Sequence, residues 1–284
     1  LYNKADYIAE TLKSVLNQTY CDYEVIVVND SSTDNSLEVA SSFQDERIHI
    51  YTKENEGVSA ARNYGIMHAK YDYIAFLDAD DIWESDYLEC QKKLIGTYPD
   101  AGIYSTAFYS LEKGKRKLRN VLINEHIHFL VHDYFKESVM NGLSICWTSS
   151  LCLKKEVIKE IPMFRVGIKR GEDLDLWLRI ALNYDVAYLN LPKVFYRTGL
   201  SDSLTSDYSK NGEFPYYEWF NFTSESSYYR KYVILVVYIH AKNAFIHHDY
   251  DTCLAELWSV KTIAWRFKWA ERLLLLVISW IKSK

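Results

Sequence analysis

The hydrophobic positions over the first hundred residues alternate between two periods. Ile8, Leu12, Val15 and Leu16 recur at i, i+4, i+7 and i+8, the spacing of one face of an amphipathic helix. Residues 24–28 (EVIVV) form a short β-branched run, the mark of a strand buried on both faces. A polar turn follows at residues 30–34. The pattern then predicts a helix over about 34–44, a strand over 47–52, a helix over 58–69, a buried strand over 73–77 (YIAFL) and a helix over 84–98. Strands that alternate with helices require crossover connections, so a doubly wound, mostly parallel sheet covered on both faces is expected. The chain runs into its first helix almost at once, after Leu1-Tyr2-Asn3, where such a sheet normally opens on a strand. A fragment lacking its first strand is therefore expected.

Beyond residue 100 the pattern is mixed. Strands are expected over 102–110 and 145–153, with the basic stretch 113–119 between them read as a solvated hairpin tip. Leu174, Trp177, Leu178, Ala181 and Leu182 share one face of a helix over 171–184, and two strands follow at 186–190 and 194–198. After about residue 205 the chain turns to long, aromatic-rich helical segments, and Ser, Asp, Asn and Gly cluster over 205–225. The expected organisation is an α/β domain over 1–205 and a helical C-terminal extension over 206–284.

Composition narrows the function classes. The 33 Lys and Arg against 38 Asp and Glu leave a net charge of −5, which argues against a protein that coats nucleic acid. A hydrophobic content of 49% excludes a disordered chain. Cys21, Cys90, Cys146, Cys152 and Cys253 are odd in number and widely spaced, with no C-x-x-C. That suits buried thiols in a reducing, cytoplasmic compartment better than a disulfide framework or a zinc site. The longest apolar runs, 232–239 and 273–278, fall far short of the ~20 residues of a spanning helix. The 24 tyrosines could stack on sugars, but core filling is the plainer use for most of them.

Residues 261–284 differ from the rest in carrying six basic residues and one acidic one. Trp265, Trp269, Leu273, Leu276 and Trp280 follow at helical spacing, with Lys261, Lys268, Arg272 and Lys282 largely on another face. A helix lying in the membrane interface on the inner face of the cell membrane is expected, the alternative being a terminal helix packed on the core or on a partner.

Four blocks carry candidate chemistry. Phe76-Leu77-Asp78-Ala79-Asp80-Asp81 ends a hydrophobic strand in three carboxylates. Alternation along a strand would send Asp78 and Asp80 to the same side, where they repel unless a cation lies between them. Mn²⁺ or Mg²⁺, with hard oxygen ligands, suits such a pair; Asp80 or Asp81 capping the next helix is the alternative. Val28–Asp34 also closes a buried strand, and Asp30 with its neighbouring hydroxyls could read a base and ribose or could form a plain Asx turn. In Asn55-Glu56-Gly57-Val58-Ser59-Ala60-Ala61-Arg62 a Gly turn opens a helix with Arg62 in its first turns, a setting that attracts phosphates. Gly171-Glu172-Asp173 puts two acids at a helix start, where they complement the dipole or could act as a general base.

In this order and at these spacings, the four blocks resemble the family-2 glycosyltransferases, inverting enzymes of the GT-A fold. Tyr2-Asn3-Lys4 with Leu12, Val15, Leu16, Gln18 and Thr19 is similar to their first helix. The resemblance covers residues 1 to about 205. It implies a nucleotide-binding half at 1–100 and an acceptor half at 101–205. Implied too is a metal-dependent hexosyl or N-acetylhexosaminyl transferase that uses a nucleotide-sugar, a UDP-sugar above all, for bacterial capsule or lipopolysaccharide, with a saccharide or lipid-linked saccharide as acceptor. Asp30, Asn55, Gly57, Arg62, Asp78 and Ala79 would then bind the donor. Asp80, helped by Asp78 or Asp81, would hold the metal, and Asp173, with Glu172 as fallback, would be the base. Three departures stand out: no Pro-ended strand precedes Tyr2, Met163-Phe164 replaces the usual Gly-Phe, and Tyr196-Arg197-Thr198-Gly199 lacks the His that often follows Tyr-Arg. Two rival readings are a non-catalytic nucleotide-sugar binding protein of the same fold and a phosphoacceptor domain, the latter opposed by the length of the chain, which leaves nearly twice a single such domain unexplained.

Overall fold

The computed structural model describes residues 1–142, 144–168, 170–200, 216–219, 223–249, 251–253 and 255. Helix α1 (Ala5–Leu16) buries Ile8, Leu12 and Val15, as its period demands. Ile8 and Leu12 pack on Val27 of strand β1 (Val25–Asn29) and on Ala40 of helix α2 (Ser36–Ser41). Strand β2 (Ile48–Thr52) runs parallel to β1, from Val25↔Ile48 to Asn29↔Thr52. On the other edge of β1, the Leu1 amine donates to the Val28 carbonyl (2.7 Å) and the Asp30 N–H donates to the Leu1 carbonyl (2.9 Å). Helix α3 (Val58–His68) follows β2.

The larger sheet is built from β3 (Tyr73–Ala75), β4 (Ile82–Trp83), β5 (Ile103–Glu112), β6 (Lys115–Arg119), β7 (His128–Val131), β8 (Leu151–Lys154) and β9 (Val186–Arg197). Its main order is β3-β8-β5-β9-β4, with β6 added to β5 and β7 to β9. β5 and β9 run parallel, while β8 is antiparallel to β3 and β5, β4 and β7 to β9, and β6 to β5. Helices α4 (Tyr87–Thr97), α5 (Tyr134–Asn141), α6 (Lys155–Glu160) and α7 (Glu172–Ala181) connect the strands. This is the α/β GT-A architecture.

Three expected elements are drawn differently. The two strands at 186–190 and 194–198 are one, β9; its pairing with β5 slips where Ala107 meets Pro192, a residue with no N–H to give the ladder. Of the basic stretch 113–119, only Lys113 and Gly114 turn, both at positive φ, and 115–119 continue as β6. Residues 145–150 are not strand: Thr148–Ser150 forms a 3₁₀ turn, with the Ser150 hydroxyl turned back on the Trp147 carbonyl and the Thr148 and Ser149 hydroxyls given to Asp173 and Asp81, and β8 starts at Leu151.

Helices α8 (Tyr216–Trp219) and α9 (Tyr229–Ile246) share the main core. Trp219, Tyr229, Tyr232, Val233, Val236 and Val237 join Phe135, Ile145, Leu176 and Trp177 in one hydrophobic cluster. Tyr134 and Tyr232 hydrogen-bond through their hydroxyls (3.0 Å). Among the described residues no helix is long and apolar enough to cross a membrane. Among the described residues no two cysteines form a disulfide; Cys146, Cys152 and Cys253 are buried as expected, whereas Cys90 is half-buried and Cys21 exposed. Most of the Ser- and Asn-rich stretch near 205–225, and all of the Trp-rich basic stretch 261–284, lie outside the described residues.

Candidate active site

Strand β3 ends at Ala75, so strand alternation does not set the directions of the three carboxylates that follow. A turn does, closed by the Asp81 N–H on the Asp78 carbonyl (3.0 Å). Thr11 of α1 donates its hydroxyl to the carbonyls of Ala79 (3.0 Å) and Asp81 (2.8 Å), which pins the turn to the first helix. Asp81 points inward and is fully buried. Its two oxygens accept from the Ser149 hydroxyl (2.6 Å) and the Arg197 backbone N–H (2.9 Å). Asp80 faces Lys4, whose ammonium lies 3.0 Å away, and its carbonyl accepts from the Arg197 guanidinium (2.6 Å). Burial raises the pKa of Asp80, and nearby Asp78 adds to it; Asp81 is raised further for the same reasons.

Asp30, at the end of β1, is buried and turned toward the loop that launches α3. It accepts from Gly57 N–H (2.9 Å), Glu56 N–H (3.2 Å) and the Lys53 ammonium (3.1 Å). Gly57 holds φ +89° and ψ 171°, a conformation open only to glycine, while Asn55 is exposed in the same loop. Arg62 then projects from the second turn of α3. One arm of its guanidinium donates to Asp78 (2.9 Å) and the other to Glu172 (2.8 Å), with the Phe164 ring 5.3 Å from its centre. Asn63, the next residue, exchanges two hydrogen bonds with the Phe164 backbone (2.7 and 3.0 Å).

Glu172 and Asp173 occupy the first turn of α7, after Gly171 in the left-handed region at φ 72°. The helix is held by Asp175, which is fully buried and accepts from Trp219 Nε1 (2.8 Å) and Arg179 Nε (2.9 Å). Asp173 accepts from the Thr148 hydroxyl (3.1 Å) and from Leu174 N–H (2.7 Å). Burial is the main force on both acids. It pushes Glu172 up to about 7, helped by Asp173 and opposed by Arg62. Asp173 is likewise raised by burial and opposed by Arg62. A carboxyl that titrates near neutrality in a buried site is suited to moving a proton.

Arg62 therefore ties the acid-rich turn after β3 to the acid pair of α7, although 110 residues separate Arg62 from Glu172. Four of the anticipated residues, Arg62, Asp78, Glu172 and Asp173, meet here; Asp80 flanks them with Lys4, and Asp30, from the end of β1, anchors the loop of Asn55 and Gly57 that leads into α3. Among the described residues no three His, Cys, Asp or Glu side chains cluster as a metal cage. Asp78 and Asp80 nonetheless fit Mg²⁺ or Mn²⁺, which take one or two protein carboxylates and fill the remaining positions from phosphate and water. The ammonium of Lys4 against Asp80 shows that this carboxylate draws a positive charge.

Several working residues escaped the sequence reading. Lys4, Thr11, Thr148 and Ser149 brace the acids from elements far away in sequence. Arg197 stood beside the missing His, yet it holds both Asp80 and Asp81, and also pairs with Glu10. The available signal was Thr148-Ser149-Ser150, three hydroxyl residues in what read as a buried strand.

The profile of Glycosyl transferase family 2 matches residues 1–161. The chain belongs to this family. Glu172 and Asp173 lie beyond the matched stretch, so their place in the site rests on the contacts above. Among family relatives, TuaG of Bacillus subtilis, named for teichuronic acid biosynthesis, is 32% identical over 190 residues, covering 66% of this chain and 71% of TuaG. Glycosyltransferase GlyA of Streptococcus pneumoniae is 31% identical over 207 residues, covering 69% of this chain but 29% of GlyA. Among solved structures, residues 1–349 of TarS from S. aureus, in complex with UDP-GlcNAc, superpose with a TM-score of 0.71 at 17% identity, covering 90% of this chain and 77% of that one. The mannosyltransferase PcManGT of Pyrobaculum calidifontis, in complex with GDP-Man and Mn²⁺, gives 0.59 at 18% identity, covering 98% and 77%. At those identities the structural neighbours speak for the fold alone.

Proposed function

We propose that this family-2 glycosyltransferase moves a hexosyl or N-acetylhexosaminyl group from a UDP-sugar to an acceptor hydroxyl, with inversion, in the synthesis of a bacterial surface polysaccharide. The observation that supports the reading is the Arg62 bridge: Asp78, from the acid-rich turn suited to a divalent cation, and Glu172, from the acid pair suited to a base, share one guanidinium. In the transfer, the acceptor oxygen bonds the anomeric carbon as the bond from that carbon to the diphosphate oxygen breaks. Asp173 takes the acceptor proton. Glu172, gripped by Arg62, is the reserve base. Asp80 and Asp78 would hold Mn²⁺ or Mg²⁺, which supplies positive charge against the departing diphosphate. Asp81, with both oxygens engaged, would steady these ligands. Asp30 would set the loop that meets the base of the nucleotide. The UDP-GlcNAc of TarS and the role named for TuaG agree with this donor and this pathway class.

The test is a thermal-shift panel of UDP-, GDP- and CDP-sugars with and without Mn²⁺. A ligand that binds the folded state raises its melting point by linkage. A UDP-sugar that stabilises only with Mn²⁺, followed by its hydrolysis or transfer, supports the reading. No stabilisation by any nucleotide-sugar overturns it. We further propose that residues 261–284 contact the inner membrane surface. Flotation with anionic vesicles that disappears on truncation after Thr262 supports this, and equal flotation of both forms refutes it.

A further inference from the structure

One face of the larger sheet joins aromatic rings to a row of positive charge. Along β5, side chains alternate, so Phe108, Ser110 and Glu112 point the same way. Their ladder partners on β6 are Arg119, Lys117 and Lys115, and Tyr196 of β9 stands beside Ser110. Contacts across the ladder bear this out: Arg119 donates to the Ser110 hydroxyl (3.2 Å), and the rings of Phe108 and Tyr196 meet edge to face. Trp147 lies over them, stacked on Phe108 at 5.4 Å and against Tyr196 at 4.8 Å. It is half-buried, and unlike the indoles of Trp83 and Trp219 its N–H donates to no group among the described residues.

This face adjoins the site on both sides. The residue after Trp147 is Thr148, which holds Asp173; the residue after Tyr196 is Arg197, which holds the Asp80 carbonyl. From there the sheet leads outward to β6, whose five residues are all exposed. Residues 113–119 carry five basic side chains and no acid. Glu112 stands across from Lys115, whereas Lys117 and Arg119 face Ser110 and Phe108. An edge strand is protected from aggregation by charge of either sign. Protection alone does not account for a single sign, or for its continuity with an open tryptophan.

We propose that this face is the acceptor site and that it takes an acidic glycan, one bearing carboxylate or phosphate groups. The inference rests on the transferase reading above. The ring of the reacting sugar lies on Trp147 and Tyr196, with its hydroxyl turned to Asp173. Acidic groups farther along the glycan pair with Lys117 and Arg119, which stand about 7 Å apart as alternate residues of one strand. Arg presents a fork matched to carboxylate or phosphate, and a cluster of like charges attracts an anion over a Debye length.

The test uses the full chain and two probes of the same ring skeleton, hexagalacturonate and its neutral methyl ester, with UDP binding measured alongside. The acid is expected to bind about tenfold more tightly than the ester at low salt, and the gap to close at high salt. Lys117→Glu should abolish the preference for the acid, while Trp147→Ala should weaken acid and ester alike. Equal binding of acid and ester, or an unchanged preference in Lys117→Glu, overturns the proposal. So does a Lys117→Glu defect seen only in flotation with phosphatidylglycerol vesicles, which would make β6 a membrane contact. A chain that prefers the acid but binds no nucleotide refutes the transferase reading and leaves the glycan site standing.

Discussion

Replacing Arg62 by Met keeps the unbranched apolar stem of the side chain and removes both arms of the bridge. Two charge-assisted hydrogen bonds are lost, at 2.8 and 2.9 Å. Breaking a buried ion pair from one side costs about 3–5 kcal/mol, because the abandoned charge stays buried. Here the two partners differ. The Asp78 side chain is 35% exposed, so water recovers much of its share, whereas Glu172 is 12% exposed and recovers little. Glu172 has another escape, which is to bind a proton. Its folded pKa, pushed up to about 7, already lies above the usual 4.5, so the folded state binds that proton more tightly than the unfolded chain. Stability tied to this group is full below pH 4.5 and falls as pH rises toward 7. Arg62 is the force that holds the value down; without it the fall continues to higher pH. The Met variant should therefore lose only about 1 kcal/mol near pH 6, where Glu172 is largely neutral in both proteins, and about 3 kcal/mol near pH 8.5. That larger loss corresponds to a drop in Tm of about 6–12 °C for a chain of this size. Urea unfolding of the native chain, Arg62→Met and Arg62→Met with Glu172→Gln at both pH values reads the effect. The Gln change should remove the pH-dependent part. An equal penalty at the two pH values, or a Met variant as stable as the native chain at pH 8.5, would refute the coupling.

Asp173→Asn, nearly isosteric, should lower turnover by about 10²-fold or more with donor affinity retained; if Glu172→Gln is the crippling change instead, the base is the neighbouring residue. Asp80→Ala should remove the Mn²⁺ dependence of UDP binding in a titration with and without the metal, and near-normal turnover would sink its assignment as a ligand. Asp81→Ala should keep that dependence but lose about 2 kcal/mol in urea unfolding, since it leaves the Ser149 hydroxyl and the Arg197 N–H without their acceptor. Gly102→Ala should lower stability by about 1–3 kcal/mol, because the new Cβ would lie 2.6 Å from Tyr184 Cβ in the packed core; an unchanged melting point would mean that the backbone yields freely there.

Local order in this chain was legible from the sequence alone. The period of Ile8, Leu12 and Val15 and the β-branched run 25–28 are properties of neighbours along the backbone, and α1 and β1 lie where they put them. The acid blocks at 78–81 and 172–173 were visible for the same reason, as short runs at the ends of predicted elements. Their division of labour was not. Asp78, Asp80 and Asp81 are near-equivalent in sequence, yet one pairs with Arg62, one with Lys4, and one is buried under Ser149 and Arg197. Arg62 read as a phosphate contact because a helix start and a guanidinium suggest one, while the acids that claim it come from elsewhere in the chain. Likewise Lys113–Arg119 read as a solvated tip, and only its ladder with β5 sets Lys117 and Arg119 on the same face as Trp147. Burial and electrostatic pairing depend on distances across the fold, and those distances exist only once β3, β5, β9 and α7 have packed together.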